Sequence, residues 1–158
     1  PGRGDTILGL AMAKKTGTDS EAVRIRLTAS YEYVRPIRNF LRALCEQAEY
    51  DEDETETLAL VATELINNSI EHGSRSPRDR IELTALVREE VYRLQVRDAG
   101  GGGETFAREA LEIARTQPAL EAPRGRGLYL IRSSVDRMAV DFDPKRGTRV
   151  SVSKARRP

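Results

Sequence analysis

Much of the usual catalytic chemistry is scarce in this chain. One cysteine and one histidine occur in 158 residues, so an intrachain disulfide is impossible and a zinc site of the common His/Cys kind cannot be assembled. A Ser-His-Asp triad would have to be built around His72. The single Cys45 lies in a helix-like stretch and points to a reducing, cytoplasmic compartment. Long apolar runs are also missing. No stretch is long enough to span a bilayer, and the N-terminus lacks the charged start and continuous apolar core of a signal peptide, so a soluble protein with no membrane partner is expected. Nor does charge of one sign dominate. Charged residues make up 32% of the chain yet cancel to a formal net charge of +1, which removes any strong pull toward nucleic acid and suits a protein partner. At this length one domain is expected, able to bury about two-thirds of the surface its unfolded chain exposes. No internal repeat is visible.

What the chain does have is a helix with two unlike faces. Through Glu64-Leu65-Ile66-Asn67-Asn68-Ser69-Ile70-Glu71-His72-Gly73, preceded by the apolar segment Leu58 to Ala62, a period of 3.6 puts Leu58, Val61, Ala62, Leu65, Ile66 and Ser69 on one side. Glu64, Asn67, Asn68 and Glu71 fall on the other. Glu64 and Asn68, one turn apart, can meet the same small ligand: the amide oxygen is a hard, neutral donor that Mg²⁺ accepts, and the carboxylate can take a proton from a hydroxyl. The alternative is an ordinary amphipathic helix with a solvated polar face. Gly73 offers a left-handed position to stop the helix.

Around this helix the pattern alternates between types. Residues 1–22 mix Gly, Lys, Thr and Asp without periodicity and read as a flexible lead-in, with Met12 a candidate native start that would make the preceding residues foreign. Val23 to Leu27 alternates as an edge strand, and Ile37, Phe40, Leu41, Leu44, Cys45 and Ala48 mark a first helix exposing Arg35, Arg38, Arg42 and Glu46. The acidic run Asp51 to Glu56 forms a loop and caps the next helix. Ile81 to Val87 and Val91 to Val96 read as a hairpin. Glu104 to Ala122 shows only weak helical pattern, broken at Pro118 and Pro123, and is expected to be a lid. A helix then opens at Gly125-Arg126-Gly127, followed by strands at Met138 to Phe142 and Thr148 to Val152. Residues 23–153 form the domain and 154–158 a disordered tail.

Three glycine clusters stand at element boundaries: Asp98-Ala99-Gly100-Gly101-Gly102, Gly125-Arg126-Gly127-Leu128 and Gly147-Thr148. Glycine lets backbone approach a phosphate, and a helix start presents free N–H groups to it. Each cluster alone fits a plain turn, and an aspartate at a strand end most often caps one. Glu64-x-x-x-Asn68, Asp98-x-Gly100-x-Gly102, Gly125-x-Gly127 and Gly147-Thr148, in that order, resemble the asparagine box and glycine boxes of the GHKL ATPases, which include gyrase, the large heat-shock chaperone, histidine kinases and a mismatch-repair ATPase. The short domain, the asparagine-box sequence and the brief lid ending Arg124-Gly-Arg-Gly-Leu128 are most similar to the bacterial anti-sigma factor serine kinases.

The resemblance implies a Bergerat-type α/β two-layer sandwich, with helices on one face of a mixed, mostly antiparallel sheet. It implies ATP and Mg²⁺ as cofactors, Glu64 as catalytic base toward a serine hydroxyl, and Asn68 as metal ligand. Asp98 would accept the adenine amine with Thr148 nearby, Gly100 and Gly102 would pass under the nucleotide, and Arg124, Gly125, Arg126, Gly127 and Leu128 would form the phosphate-binding end of the lid. The implied partners are a STAS-type anti-anti-sigma antagonist, which is phosphorylated, a sigma factor, which is sequestered, and a second copy of the chain in a homodimer. The first helix, with Arg38, and the lid are the expected docking surfaces. A non-catalytic ATP-binding regulatory module, or a switch kinase that activates a downstream phosphatase, fits the same boxes. His72 is expected to pack or cap.

Overall fold

The computed structural model describes residues 21–116 and 126–156; the lead-in up to position 20 lies outside them. Strand β1, Val23–Thr28, buries Leu27 and exposes Arg24, Arg26 and Thr28, the alternation of a strand with one covered face. A single 3-10 turn at Tyr31–Tyr33 leads into helix α1, Val34–Gln47, and helix α2, Glu52–Glu71. β2 (Arg80–Arg88) and β3 (Val91–Arg97) form a hairpin turning at Glu89-Glu90. Helices α3 (Gly103–Arg115) and α4 (Arg126–Ser134) precede a second hairpin of β4 (Arg137–Asp143) and β5 (Gly147–Ala155). The sheet order is β1-β2-β3-β5-β4, and every pairing among the described strands is antiparallel.

Two layers result because the strands have one apolar face and the helices one apolar stripe. From α2, Leu58, Val61, Ala62, Leu65 and Ile66 are fully or almost fully buried, and they share one core with Ile81 and Leu83 of β2, Tyr92, Leu94 and Val96 of β3, and Val150 and Val152 of β5. Each such aliphatic side chain stabilises the fold by about 1.5–3 kcal/mol through area removed from water, and Leu65→Ala would cost about 2–5 kcal/mol. α1 adds Ile37, Leu41 and Cys45 at helical spacing. Burial pushes the Cys45 thiol up to about 11, so this cysteine is a small core residue without thiolate character. No helix among the described residues is long and apolar enough to cross a membrane.

Asp51 caps α2 by accepting from the Glu54 N–H at 2.7 Å, so the acidic run is cap and first turn together. It also claims two arginines of α1. Arg38 donates to Glu56 at 2.7 Å and Arg42 to Glu52 at 3.2 Å, so both are half-buried and paired between the helices, which corrects the reading of Arg38 as a free exposed charge.

Three further expectations are overturned. The segment from Glu104 is a regular helix to Arg115, with Ala107 and Ala110 buried and Phe106, Leu111 and Ile113 against the core; residues 117–122 of the expected lid fall outside the described residues. Gly73 is not in the left-handed region, which among the described glycines holds only Gly100, Gly103 and Gly147. The tail begins later than expected. β5 runs to Ala155, and the Arg156 guanidinium lies 5.0 Å over the Tyr50 ring and donates to the Ala48 carbonyl at 3.3 Å and to the Glu49 carbonyl. It thereby satisfies carbonyls that the end of α1 leaves free.

Candidate functional site

Insertion of β5 between β3 and β4 builds one half of the site. The pairing of Arg97 with Arg149 brings the residue after β3 beside the start of β5, and the Asp98 N–H donates to the Thr148 carbonyl at 2.9 Å. Asp98 is 6% exposed. Its Oδ1 accepts from the Gly100 N–H at 2.8 Å and, more weakly, from the Thr148 N–H at 3.4 Å. Burial raises its affinity for a proton, opposed by these backbone donors and by the Ser69 hydroxyl from α2. Its Oδ2 faces Gly73, where a Cβ would overlap the carboxylate and lie 2.7 Å from Asp98 Cβ. The glycine after α2 is therefore a space for the Asp98 side chain. Gly147, at φ +82°, could carry no side chain either, since a Cβ would overlap the Asp98 carbonyl oxygen.

The other half is made by two helices. Glu64 and Asn68 stand one turn apart on α2, both half-buried, and α4 packs against this helix so that Gly127 faces them. A Cβ at Gly127 would overlap Glu64 Oε2 and lie 3.8 Å from Asn68 Oδ1. Burial, and then the charge of Glu71, raise the affinity of Glu64 for a proton. Leu128 is a core side chain at 5% exposure, and Arg126 is exposed at the first position of α4. Arg124 and Gly125 lie outside the described residues.

The glycine loop joins the halves. The Gly101 N–H donates to the Gly73 carbonyl at 2.7 Å, and Gly102 leaves no room for a Cβ against the His72 carbonyl, 2.9 Å away, and the Phe106 Cβ, 2.7 Å away. His72 caps α2, as expected, and its ring stacks on Phe106 of α3 with centroids 4.8 Å apart. Sequence reasoning missed Gly73, Ser69 and Phe106 as parts of this corner. Only the adjacency of Gly73 to the asparagine box hinted at it, because its contact is with a residue far along the chain.

Two buried polar atoms at the site have no hydrogen-bond partner: Asn68 Nδ2 and Thr148 Oγ1. Each orphaned donor or acceptor costs about 1–3 kcal/mol, a cost that a polar ligand placed there would remove. Among the described residues no group of His, Cys, Asp and Glu could hold a metal unaided. An amide oxygen beside phosphate oxygens is nonetheless the donor set a hard divalent cation takes, and Asn68 fits it. The corner thus has a buried carboxylate at one end, an amide with an unpartnered Nδ2 at the other and glycine backbone between them.

Residues 27–154 match the family described as the histidine kinase-like ATPase domain. The chain is similar to the anti-sigma F factor of Clostridium acetobutylicum, 22% identical over 102 residues that make up 65% of this chain and 71% of that protein. It is similar to the anti-sigma F factor of Halalkalibacterium halodurans at 28% identity over 103 residues, 65% of this chain and 70% of that protein. Its fold resembles a crystal structure of the RsbU and RsbW domains of a Mycobacterium tuberculosis protein, with TM-score 0.61 and 18% identity, covering 87% of this chain but 33% of that one. This chain thus spans about a third of the chain in that structure. It also resembles a structure of the SiaB-SiaC complex from Pseudomonas aeruginosa, with TM-score 0.67 and 16% identity over 85% of this chain and 88% of that one.

Proposed function

From the premise that this chain belongs to the histidine kinase-like ATPase domain family, we propose that it is an ATP-dependent serine kinase and anti-sigma factor, which phosphorylates an anti-anti-sigma antagonist and sequesters a sigma factor in partner switching. The observation that carries the reading is the meeting of Gly127 with Glu64 and Asn68 beside the orphaned amide of Asn68. The similarity to two anti-sigma F factors supports the regulatory half. A STAS-type antagonist, a homodimer and a cytoplasmic setting belong to the same proposal.

In this reading the 6-amino group of adenine donates to Asp98 Oδ2, the oxygen that no backbone N–H engages. Thr148 Oγ1 gains a partner in the base or a water. Gly127 and its neighbours bring backbone N–H groups to the phosphates, with Arg124 and Arg126 adding charge. Asn68 is the residue that would hold Mg²⁺, whose chemistry when bound is to neutralise and align the phosphates. The acceptor serine oxygen attacks the γ-phosphorus as the bond to the ADP oxygen breaks. Its proton passes to Glu64, which burial and the charge of Glu71 make a stronger base than a free carboxylate.

The test separates chemistry from binding. Glu64→Gln keeps size and most hydrogen bonding but removes the base, so it is expected to bind ATP like the wild type and to transfer phosphate about a hundred to ten thousand times more slowly. Asn68→Ala is expected to lose both. ATP affinity and single-turnover transfer to an antagonist, measured side by side, decide it: wild-type transfer by Glu64→Gln removes the base assignment, and no transfer by wild type to any antagonist of its own cell leaves a nucleotide-binding regulator.

A further inference from the structure

The candidate site occupies one end of the sheet and the face covered by helices. The opposite face of the sheet is open among the described residues, and strand register fixes what it carries. One row across all five strands reads Arg26, Glu82, Arg97, Arg149, Asp141, and the next reads Arg24, Thr84, Gln95, Ser151, Ala139. A third runs Leu86, Arg93, Ser153, Arg137. The carboxylates of this face already have partners: Glu82 pairs with Arg26 at 3.1 Å and Asp141 with Arg149 at 2.6 Å, Glu21 pairs with Arg88 at the end of β2, and Asp143 at the end of β4 accepts from the Lys145 N–H at 2.7 Å and the Arg146 N–H at 2.9 Å. What remains is of one sign. Arg24, Arg93 and Arg137, and Arg80 at the start of β2, are exposed and have no carboxylate partner among the described residues. They surround a low centre of Thr84, Gln95 and small side chains.

We propose that this open face is a docking surface for an acidic region of another protein. A planar guanidinium with no partner presents paired N–H groups suited to a carboxylate, and several of them around a flat neutral centre form a polar rim about a coverable patch. Nucleic acid fits less well. Glu82 and Asp141 lie within the face beside the arginines, where a continuous phosphate backbone would meet them, whereas separate carboxylates can be aimed at the unpaired arginines alone. Among the described residues the face also lacks an aromatic side chain on which a base could stack. A second copy of the chain would oppose arginine to arginine. The surface is separate from the proposed catalytic corner, and the inference does not depend on kinase activity.

The test uses the full chain with fluorescein-labelled poly-L-glutamate as probe, and a short duplex DNA of matched charge as competitor class. The triple variant Arg24→Ser, Arg93→Ser, Arg137→Ser removes unpaired charge from the face. Arg35→Ser, Arg75→Ser, Arg78→Ser removes the same charge elsewhere. The first is expected to weaken poly-L-glutamate about tenfold, the second to leave it within about twofold, and both to bind ATP like wild type. Equal weakening by the two triples would reduce the effect to net charge and overturn the proposal. So would tighter binding of the DNA than of the polypeptide, or a wild-type dimer in sedimentation that only the sheet-face triple dissolves, since the face would then belong to another occupant.

Discussion

Gly73→Ala puts a methyl group into the space that Asp98 occupies. The new Cβ would overlap the carboxylate and sit 2.7 Å from Asp98 Cβ, against the roughly 3.5 Å that carbon contacts need. Asp98 has little freedom to yield. Its Oδ1 is held by the Gly100 and Thr148 N–H groups and its backbone N–H by the Thr148 carbonyl. Swinging the side chain away forfeits hydrogen bonds worth about 1.5–3 kcal/mol each to a charged acceptor, while shifting the backbone instead costs about 1–3 kcal/mol of overpacking. The cheaper route sets the loss, so urea unfolding is expected to give a destabilisation of about 2 kcal/mol. Because either route moves the proposed adenine acceptor, calorimetry is expected to give ATP affinity weaker by about tenfold or more. A double-mutant cycle isolates the contact. Asp98→Ala in the Gly73→Ala background removes the overlap with the carboxylate and leaves only the Cβ contact, so part of the lost stability should return, with a coupling of about 1 kcal/mol. A Gly73→Ala protein as stable as wild type, with unchanged ATP affinity and no coupling to position 98, would refute the geometry.

Three other substitutions or measurements probe different parts. Burial holds the folded proton affinity of Asp98 above its unfolded value, so this group stabilises the fold most below its unfolded pKa and the contribution is lost as pH rises through the folded pKa; without nucleotide, Asp98→Asn is expected to equal or exceed wild type in urea at pH 7, with the difference shrinking at acid pH, while ATP binding weakens by about 1–3 kcal/mol. Arg156→Ala removes the cation over Tyr50 and the donors to the carbonyls of Ala48 and Glu49 and is expected to cost about 1–3 kcal/mol in the same assay, with no loss concluding that the C-terminal strand end is unattached. Hydrogen exchange is expected to find α3 protected equally in the empty, ADP-bound and ATP-analogue-bound protein, because Ala107 and Ala110 are buried; protection that appears only with nucleotide would restore the whole segment from Glu104 to the lid.

Much of the fold was legible because large aliphatic side chains sit at clear periods. The buried stripe of α2 and the alternation in β1, β2 and β3 needed no tertiary information, and the edge position of β1 followed from its charged outer residues. α3 was missed although Phe106, Ala107, Ala110, Leu111 and Ile113 recur at helical spacing, because the stretch reads together with Pro118 and Pro123 as one broken segment. Arg38 and Arg42 looked exposed because their partners Glu52 and Glu56 lie on another helix, and a periodicity along one helix contains nothing about the next. The site divided in the same way. Glycine clusters at element ends marked where a ligand would approach, but what each glycine makes room for is a long-range contact: Gly73 accommodates Asp98, and Gly127 faces Glu64. Lys154 to Arg156 read as tail because a run of basic residues resembles solvated chain until α1 supplies carbonyls to bind.

The strand order also bears on how the chain reaches its folded state. The hairpins β2–β3 and β4–β5 join neighbours in sequence, whereas β1–β2 closes only across α1 and α2, and β3–β5 only across α3 and α4. Non-local pairing must bear the entropy of loop closure before its contacts form, so it is the slow step of a topology like this one. The corner made by Asp98 and Thr148 exists only in the β3–β5 pairing. Partially assembled chains, with both hairpins formed but undocked, hold no such corner. A ligand that binds there would stabilise the completed fold alone and withdraw it from the pool of intermediates by mass action, so that maturation of the chain and occupancy of the corner would rise together.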